Sequence, residues 1–256
     1  MKRKVIITGG SKGIGKAIAE RFAIEQSDIC LLASNENNLE KTKSDLQNNY
    51  NINVIYCAAD LKTKIGCENT IKFVEKEFEN YDTIIFSAGA TKSGDFLKQP
   101  IEDFEDGFAL KFYSAIRLSK AFWPTLSKNK GWVVSINGAM SHSPDPFFMV
   151  GGAVNAAFLN FTKALSKRGL VDGVNVNSIN PGMTSTNRLK TIIKNNADRE
   201  GISFADAEKK ALKDIGLDRF STPEEVAELA YFLCSPKVRH LTGTEINLDG
   251  GKKTTI

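Results

Sequence analysis

Cysteine is scarce in this chain: four in 256 residues. Cys30, Cys57, Cys67 and Cys234 show neither CxxC nor metal-ligand spacing. All four stand in apolar or helical contexts and read as reduced packing residues, and no metal is expected. Long apolar runs are also missing. No segment reaches the ~18 apolar residues of a membrane span, and Met1-Lys2-Arg3-Lys4 leads into too short an apolar run for a signal peptide. A cytoplasmic location is therefore expected. No charge sign dominates: 34 basic against 30 acidic residues leave +4, with no block of like charge. That argues against nucleic acid and membrane surfaces as partners. Internal repeats, low-complexity tracts and linkers are absent. With 41% hydrophobic and 25% charged residues, the chain reads as one globular domain over 1–256.

What is present centres on Val5 to Gly15, VIITGGSKGIG. Val5-Ile6-Ile7 is a short unbroken apolar run, as in a strand buried on both faces of a parallel sheet. Thr8-Gly9-Gly10 ends it. From Gly13-Ile14-Gly15, apolar residues recur at helical spacing through Ala17, Ile18 and Phe22. Strand, glycine turn, helix is the expected order. Glycine lets backbone turn tightly and approach a phosphate, and the helix N-terminus offers free N–H groups to that anion. An ordinary strand–helix turn is the alternative.

The same alternation continues. Strands are expected over 28–33, 54–58, 83–86, 132–136, 174–179 and 244–248. Helices are expected over 36–46, 62–78, 101–126, 150–167 and 223–234. This predicts an α/β fold: a single-domain, Rossmann-like, doubly wound parallel sheet of about seven strands with helices on both faces. Ligands then bind at the carboxyl ends of the strands, near the switch point. The stretch 183–221 interrupts the rhythm and is expected to be a lid-like insertion with short helices near 191–193 and 204–212. Arg188, Lys190, Lys194, Arg199, Lys209, Lys210 and Lys213 make it basic. Either this is a solvated face, or it attracts an anionic substrate.

Over nearly its whole length the chain resembles the short-chain dehydrogenase/reductase family. Thr8-Gly9-Gly10-Ser11-Lys12-Gly13-Ile14-Gly15 resembles that family's TGxxxGxG turn. Asp60-Leu61 stands where the family meets the adenine. Ala88-Gly89 ends like its NNAG, although Phe86 and Ser87 replace the asparagines. Asn180-Pro181-Gly182-Met183-Thr184-Ser185-Thr186 resembles the NPGxxxT segment that holds the nicotinamide carboxamide. The resemblance implies a nicotinamide cofactor bound by Gly9, Ser11, Lys12, Gly13, Ile14, Gly15, Ser34, Asn35, Asp60, Leu61, Ala88, Gly89, Pro181, Gly182, Thr184 and Thr186. The second strand ends Leu32-Ala33-Ser34-Asn35, without the acid that would bind a free 2′-hydroxyl. Lys12 stands where a cation meets a 2′-phosphate, or is only a surface lysine. NADP(H) is favoured, with NAD(H) as the alternative.

The catalytic pattern departs from the family. Hydride transfer to a carbonyl needs a proton donor at the oxygen, and the family uses tyrosine, assisted by lysine, serine and asparagine. Alignment on Trp132–Ile136, Ala156-Ala157-Phe158 and Pro124 puts Gly138 at the serine position, Gly151 at the tyrosine, Asn155 at the lysine and Lys111 at the asparagine. Lysine and asparagine have exchanged places, so Lys111 and Asn155 are the candidate catalytic residues. Lys111 either packs its stem in an interface or points into the cleft. Asn155 is a ribose contact or a helix-surface amide. Asn137, Gly138, His142 and Gly151 are candidate pocket residues, and Phe147, Phe148 or Met149 could fill the space left by the tyrosine. His142 could equally be an exposed bystander.

Two functions fit: an oxidoreductase acting on a small alcohol/carbonyl or C=C substrate with a non-standard proton donor, or a catalytically inactive nucleotide-binding sensor or scaffold. Phe104, Phe108, Leu110, Phe112, Ile116, Leu118, Phe122 and Trp123 give the 101–126 helix surplus apolar surface. With the family resemblance, this suggests a homodimer or homotetramer through that helix.

Overall fold

A computed structural model describes residues 2–252. In chain order the elements are β1 (Lys4–Thr8), α1 (Gly13–Ile24), β2 (Asp28–Ala33), α2 (Glu36–Asn49), β3 (Val54–Ala58), α3 (Lys64–Glu77) and β4 (Thr83–Phe86). Then come α4 (Ile101–Gly107), a π-helical turn (Phe108–Tyr113), α5 (Ser114–Lys128), β5 (Trp132–Ile136), α6 (Met149–Asp172) and β6 (Asn175–Pro181). The chain continues with α7 (Asn187–Glu200), α8 (Phe204–Ile215), α9 (Pro223–Leu233) and β7 (Glu245–Leu248). The seven strands form one sheet in the order β3-β2-β1-β4-β5-β6-β7, and every neighbouring pair is parallel. The order reverses between β1 and β4, which places the switch point at their carboxyl ends.

Strand alternation divides the core in two. Val5 and Ile7 face one side and pack with Ile18 and Phe22 of α1, Leu39 of α2, and Val226 and Ala230 of α9. Ile6 faces the other side, with Val74 of α3, Leu118 and Phe122 of α5, and Phe158 of α6. Both sheet faces are covered, which is why β1 reads as an unbroken apolar run rather than an alternating one. Ile6, Ile7, Phe22 and Phe122 are fully buried, each contributing ~1.5–3 kcal/mol of transfer free energy.

The helix expected over 101–126 is interrupted. Its middle, Phe108–Tyr113, is wound as a π turn, and the helix runs on to Lys128. The extra residue in that turn rotates α5 relative to α4, a distortion common at functional sites. The apolar surplus is largely absorbed by the core: Leu118 and Phe122 are fully buried, and Leu110, Phe112 and Trp123 pack against the same cluster. Tyr113 remains about half exposed.

The 183–221 insertion is folded. Its two helices are longer than expected and pack through Leu189, Ile193, Ala197, Ala207 and Ala211, a satellite cluster apart from both main cores. An isolated bridge between Thr184 and Ser221 joins its two ends, with their hydroxyls 2.9 Å apart. All four cysteines are free thiols; Cys30, Cys67 and Cys234 are buried. Among the described residues no helix is long and apolar enough to cross a membrane, and no cluster of metal-ligating side chains is present.

Candidate functional site

The glycine turn lies at the carboxyl end of β1. Gly13 has φ +53°, and a Cβ there would meet only the Thr186 side chain, whose methyl is 3.5 Å away. The space beside it is otherwise open. Gly15 is required for packing: a Cβ would lie 2.2 Å from the Gly9 carbonyl oxygen. Helix α1 starts at Gly13 with no side-chain cap and no acid in its first turn. Helices α4 and α6 are also without a side-chain cap, whereas α2, α3, α7, α8 and α9 are capped by Asn35, Thr63, Thr186, Ser203 and Thr222. The N–H groups that open α1 are left for an anion. The turn therefore fits the phosphates of a dinucleotide.

Other expected cofactor residues gather along the same edge. Thr8 Oγ1 accepts from the backbone N–H of Ser87 and Ala88, both at 3.1 Å, tying β4's exit to the glycine turn. Ser11 is buried, and its carbonyl accepts from Thr42. Lys12 and Ser34 are exposed at the ends of the turn and of β2. Asn35 lies beside Ser34, but its side-chain oxygen is occupied as the α2 cap, 2.8 Å from the Asn38 N–H. Asp60 is exposed, with Oδ1 3.0 Å from the Lys62 N–H, whereas the Leu61 side chain is in the core. Gly182 donates to Leu248, following the buried Pro181, and the Thr184 carbonyl accepts from the Thr186 hydroxyl.

Lys111 projects from the π turn into the protein and is only 8% exposed. Its Nζ donates to the Asn137 carbonyl oxygen and to Asn155 Oδ1, both at 2.6 Å. Lys111 and Asn155 are thus direct partners, and Asn155 is a buried amide rather than a helix-surface one. A Cβ on Gly89 would lie 3.9 Å from Lys111 Nζ, so the ammonium sits against the exit of β4. Burial, with the Arg188 guanidinium nearby, pulls its pKa down to about 7.

The two glycines in the pattern are both forced by neighbours. Gly138 has φ +148°, and a Cβ there would lie 2.7 Å from Asn155 Nδ2. At Gly151 a Cβ would fall 1.9 Å from the Phe148 ring, which fills the space beside that position. Asn137 is buried and its Nδ2 donates to Ser135, whose hydroxyl is 2.9 Å from that of Ser178. His142 is turned to β7 rather than to Lys111, with Nε2 2.5 Å from Glu245 Oε1.

Sequence reasoning treated Arg188 only as part of a basic lid. It links the 183–221 insertion to the exit of β4: its guanidinium donates to the Gly89 carbonyl at 3.0 Å, the Thr91 carbonyl at 3.1 Å and the Thr91 hydroxyl at 2.8 Å. Those partners lie 97–99 residues away along the chain, so no local pattern could reveal the contact.

This arrangement defines a Rossmann-like, doubly wound α/β protein with a glycine turn and a buried cation at its switch point. The chain belongs to the short-chain dehydrogenase/reductase family: residues 9–253 match the family model described as enoyl-(acyl carrier protein) reductase. It is 28% identical over 257 residues to the NADPH-dependent reductase BacG of Bacillus subtilis, across 100% of this chain and 99% of that protein. It is 26% identical over 252 residues to the 3-oxoacyl-acyl-carrier-protein reductase FabG of Chlamydia muridarum, covering 98% and 97% of the two chains. The structure of L-sorbose reductase from Gluconobacter frateurii, in complex with NADPH and L-sorbose, matches with a TM-score of 0.93 and 26% identity over 100% of this chain and 98% of that one.

Proposed function

We propose that this protein is an NADPH-dependent reductase of small carbonyl compounds in which Lys111 acts as the proton donor. One observation carries the reading: a buried ammonium beside the β4 exit, held by two acceptors. An ammonium has three N–H groups. Asn137 and Asn155 take two, and the third serves a substrate oxygen. Lys111 stabilises the negative charge that develops on that oxygen, gives it a proton and is left as the neutral amine. Asn155 fixes the Nζ position, and Phe148 keeps water from the place of the missing tyrosine. A nicotinamide cofactor on the glycine turn supplies the hydride. Gly9, Gly13, Ile14 and Gly15 hold its phosphates, with Ala88, Gly182, Thr184 and Thr186 along its length. Relatives that are themselves NADPH-dependent reductases support the reading.

The loss of the tyrosine also fits a nucleotide-binding module without catalysis. NADPH consumption with a panel of carbonyl and enoyl substrates tests the choice. Carbonyl-dependent oxidation of NADPH is expected, and its absence across the panel would favour the module.

Nucleotide preference has its own test. Ala33 carries no acid against a 2′-phosphate, and the exposed Lys12 can reach one. NADPH should bind at least about tenfold tighter than NADH, a difference of ~1.4 kcal/mol. Lys12→Ala should remove most of that difference by weakening NADPH alone. Equal affinities in calorimetric titration would refute it.

A homodimer or homotetramer through α4 and α5 is the proposed assembly, with the half-exposed Tyr113 at its centre. Light scattering at micromolar concentration should give two or four times the monomer mass. A monomer would contradict this.

A further inference from the structure

Two cations flank Gly89. The Lys111 ammonium lies on its Cα side and the Arg188 guanidinium on its carbonyl oxygen. Neither has a carboxylate partner among the described residues; their partners are carbonyl, amide and hydroxyl oxygens. Arg239 also donates only to a carbonyl, that of Gly173, but several other arginines are paired with carboxylates. Arg21 pairs with Glu25 and Glu228, Arg168 with Asp172, and Arg219 with Glu225. Lys111 is buried while Arg188 is exposed to solvent, so the cost of holding two like charges here without a counterion falls on the buried ammonium. The cost is returned when an anion binds between them.

Arg188 is also built in at this position. Three of its five N–H groups are committed to Gly89 and Thr91, which fixes the plane of the guanidinium and leaves two N–H groups for a ligand. Its charged carbon lies 5.9 Å from the centre of the Phe148 ring, the same ring that occupies the space at Gly151. On the same helix, Arg199 stacks 4.0 Å over Phe147. The Phe148 ring gives an apolar surface beside the Arg188 guanidinium. That combination suits a small molecule with a carboxylate at one end and an apolar body.

We propose that the substrate is a short oxo acid, with Arg188 binding its carboxylate while its carbonyl oxygen faces Lys111. The proposal rests on the reductase reading for the carbonyl, but not for the carboxylate. Arg188 is then the residue that separates oxo acids from neutral ketones. Carboxylate and guanidinium form a charge-assisted pair, the strongest class of hydrogen bond available here.

The test uses matched pairs: phenylpyruvate with its methyl ester, and acetoacetate with its methyl ester. Binding to the full-length protein loaded with NADP is measured by calorimetry, and turnover by NADPH oxidation. At least one acid should bind about tenfold or more tighter than its ester. Arg188→Gln should abolish that preference, weakening acid binding by about tenfold or more beyond any change in ester binding or NADPH affinity, and Arg188→Lys should restore part of it. If Arg188 only latches the lid, Arg188→Gln will weaken acid and ester equally, which overturns the proposal. A change confined to NADPH affinity, or a wild-type protein that prefers neither acid, overturns it too. Acid binding that depends on Arg188 without any turnover would uphold the anion site and refute the reductase reading. Turnover of esters and acids alike, indifferent to Arg188, would do the reverse.

Discussion

Lys111→Met should lower turnover by about a hundredfold or more with NADPH binding intact. Removing one preorganised donor from a dry site typically costs 10²–10³-fold, roughly 3–4 kcal/mol, and Lys111 is the buried donor placed at the β4 exit. Methionine keeps the apolar stem and removes the charge. The pH profile supplies a second readout. Carbonyl reduction needs the protonated ammonium, so kcat/KM should fall as pH rises through about 7. Alcohol oxidation needs the neutral amine and should rise over the same range. Stability depends on the same group. The folded-state pKa of about 7 lies below that of the unfolded chain, near 10.4 for lysine. The unfolded state thus binds more protons between those values, and the Lys111 contribution to stability should rise with pH from about 7 towards 10. The methionine variant should lack that rise. Unchanged turnover in a folded Lys111→Met protein would return Lys111 to a structural role.

Reinstating the family's serine and tyrosine should harm this protein. In Gly138→Ser the new side chain meets Asn155 Nδ2 at 2.7 Å on a backbone with φ +148°. Asn155 cannot yield without releasing Lys111, which it holds at 2.6 Å. Overpacking and an unfavourable φ together predict a loss of about 2–4 kcal/mol. That corresponds to a Tm lower by ~5–15 °C for a chain of this size. Gly151→Tyr must evict the Phe148 ring, which a Cβ would meet at 1.9 Å. The double variant should therefore be less stable and less active than wild type. Turnover that rises with an unchanged Tm would show that the site still supports tyrosine chemistry, and would remove the case for Lys111. Thermal melts and NADPH oxidation on the same samples decide it.

Much of the scaffold was legible in the residues. Apolar runs such as Val5-Ile6-Ile7 mark strands because both sheet faces are covered. Gly13 and Gly15 mark the turn because one has positive φ and the other packs against the Gly9 carbonyl. Lys111 and Asn155 could also be singled out together, since that needs only alignment with the resembled family on neighbouring strands and helices.

The contact joining those two residues was not visible. Lys111 and Asn155 are 44 positions apart, and their contact depends on the π turn that directs Lys111 inward. A π turn changes helix phase by one residue and has no signature in apolar spacing. Likewise, the sequence offered Phe147, Phe148 and Met149 as fillers beside Gly151, and only packing selected the Phe148 ring. Arg188 looked like one of eight basic residues in 183–221 until the fold laid α7 over the exit of β4. Local sequence therefore determined the elements and the glycine turn, whose causes act within a few residues. Tertiary structure alone decided the cation site, because its energetics come from burial and from partners brought together across the chain.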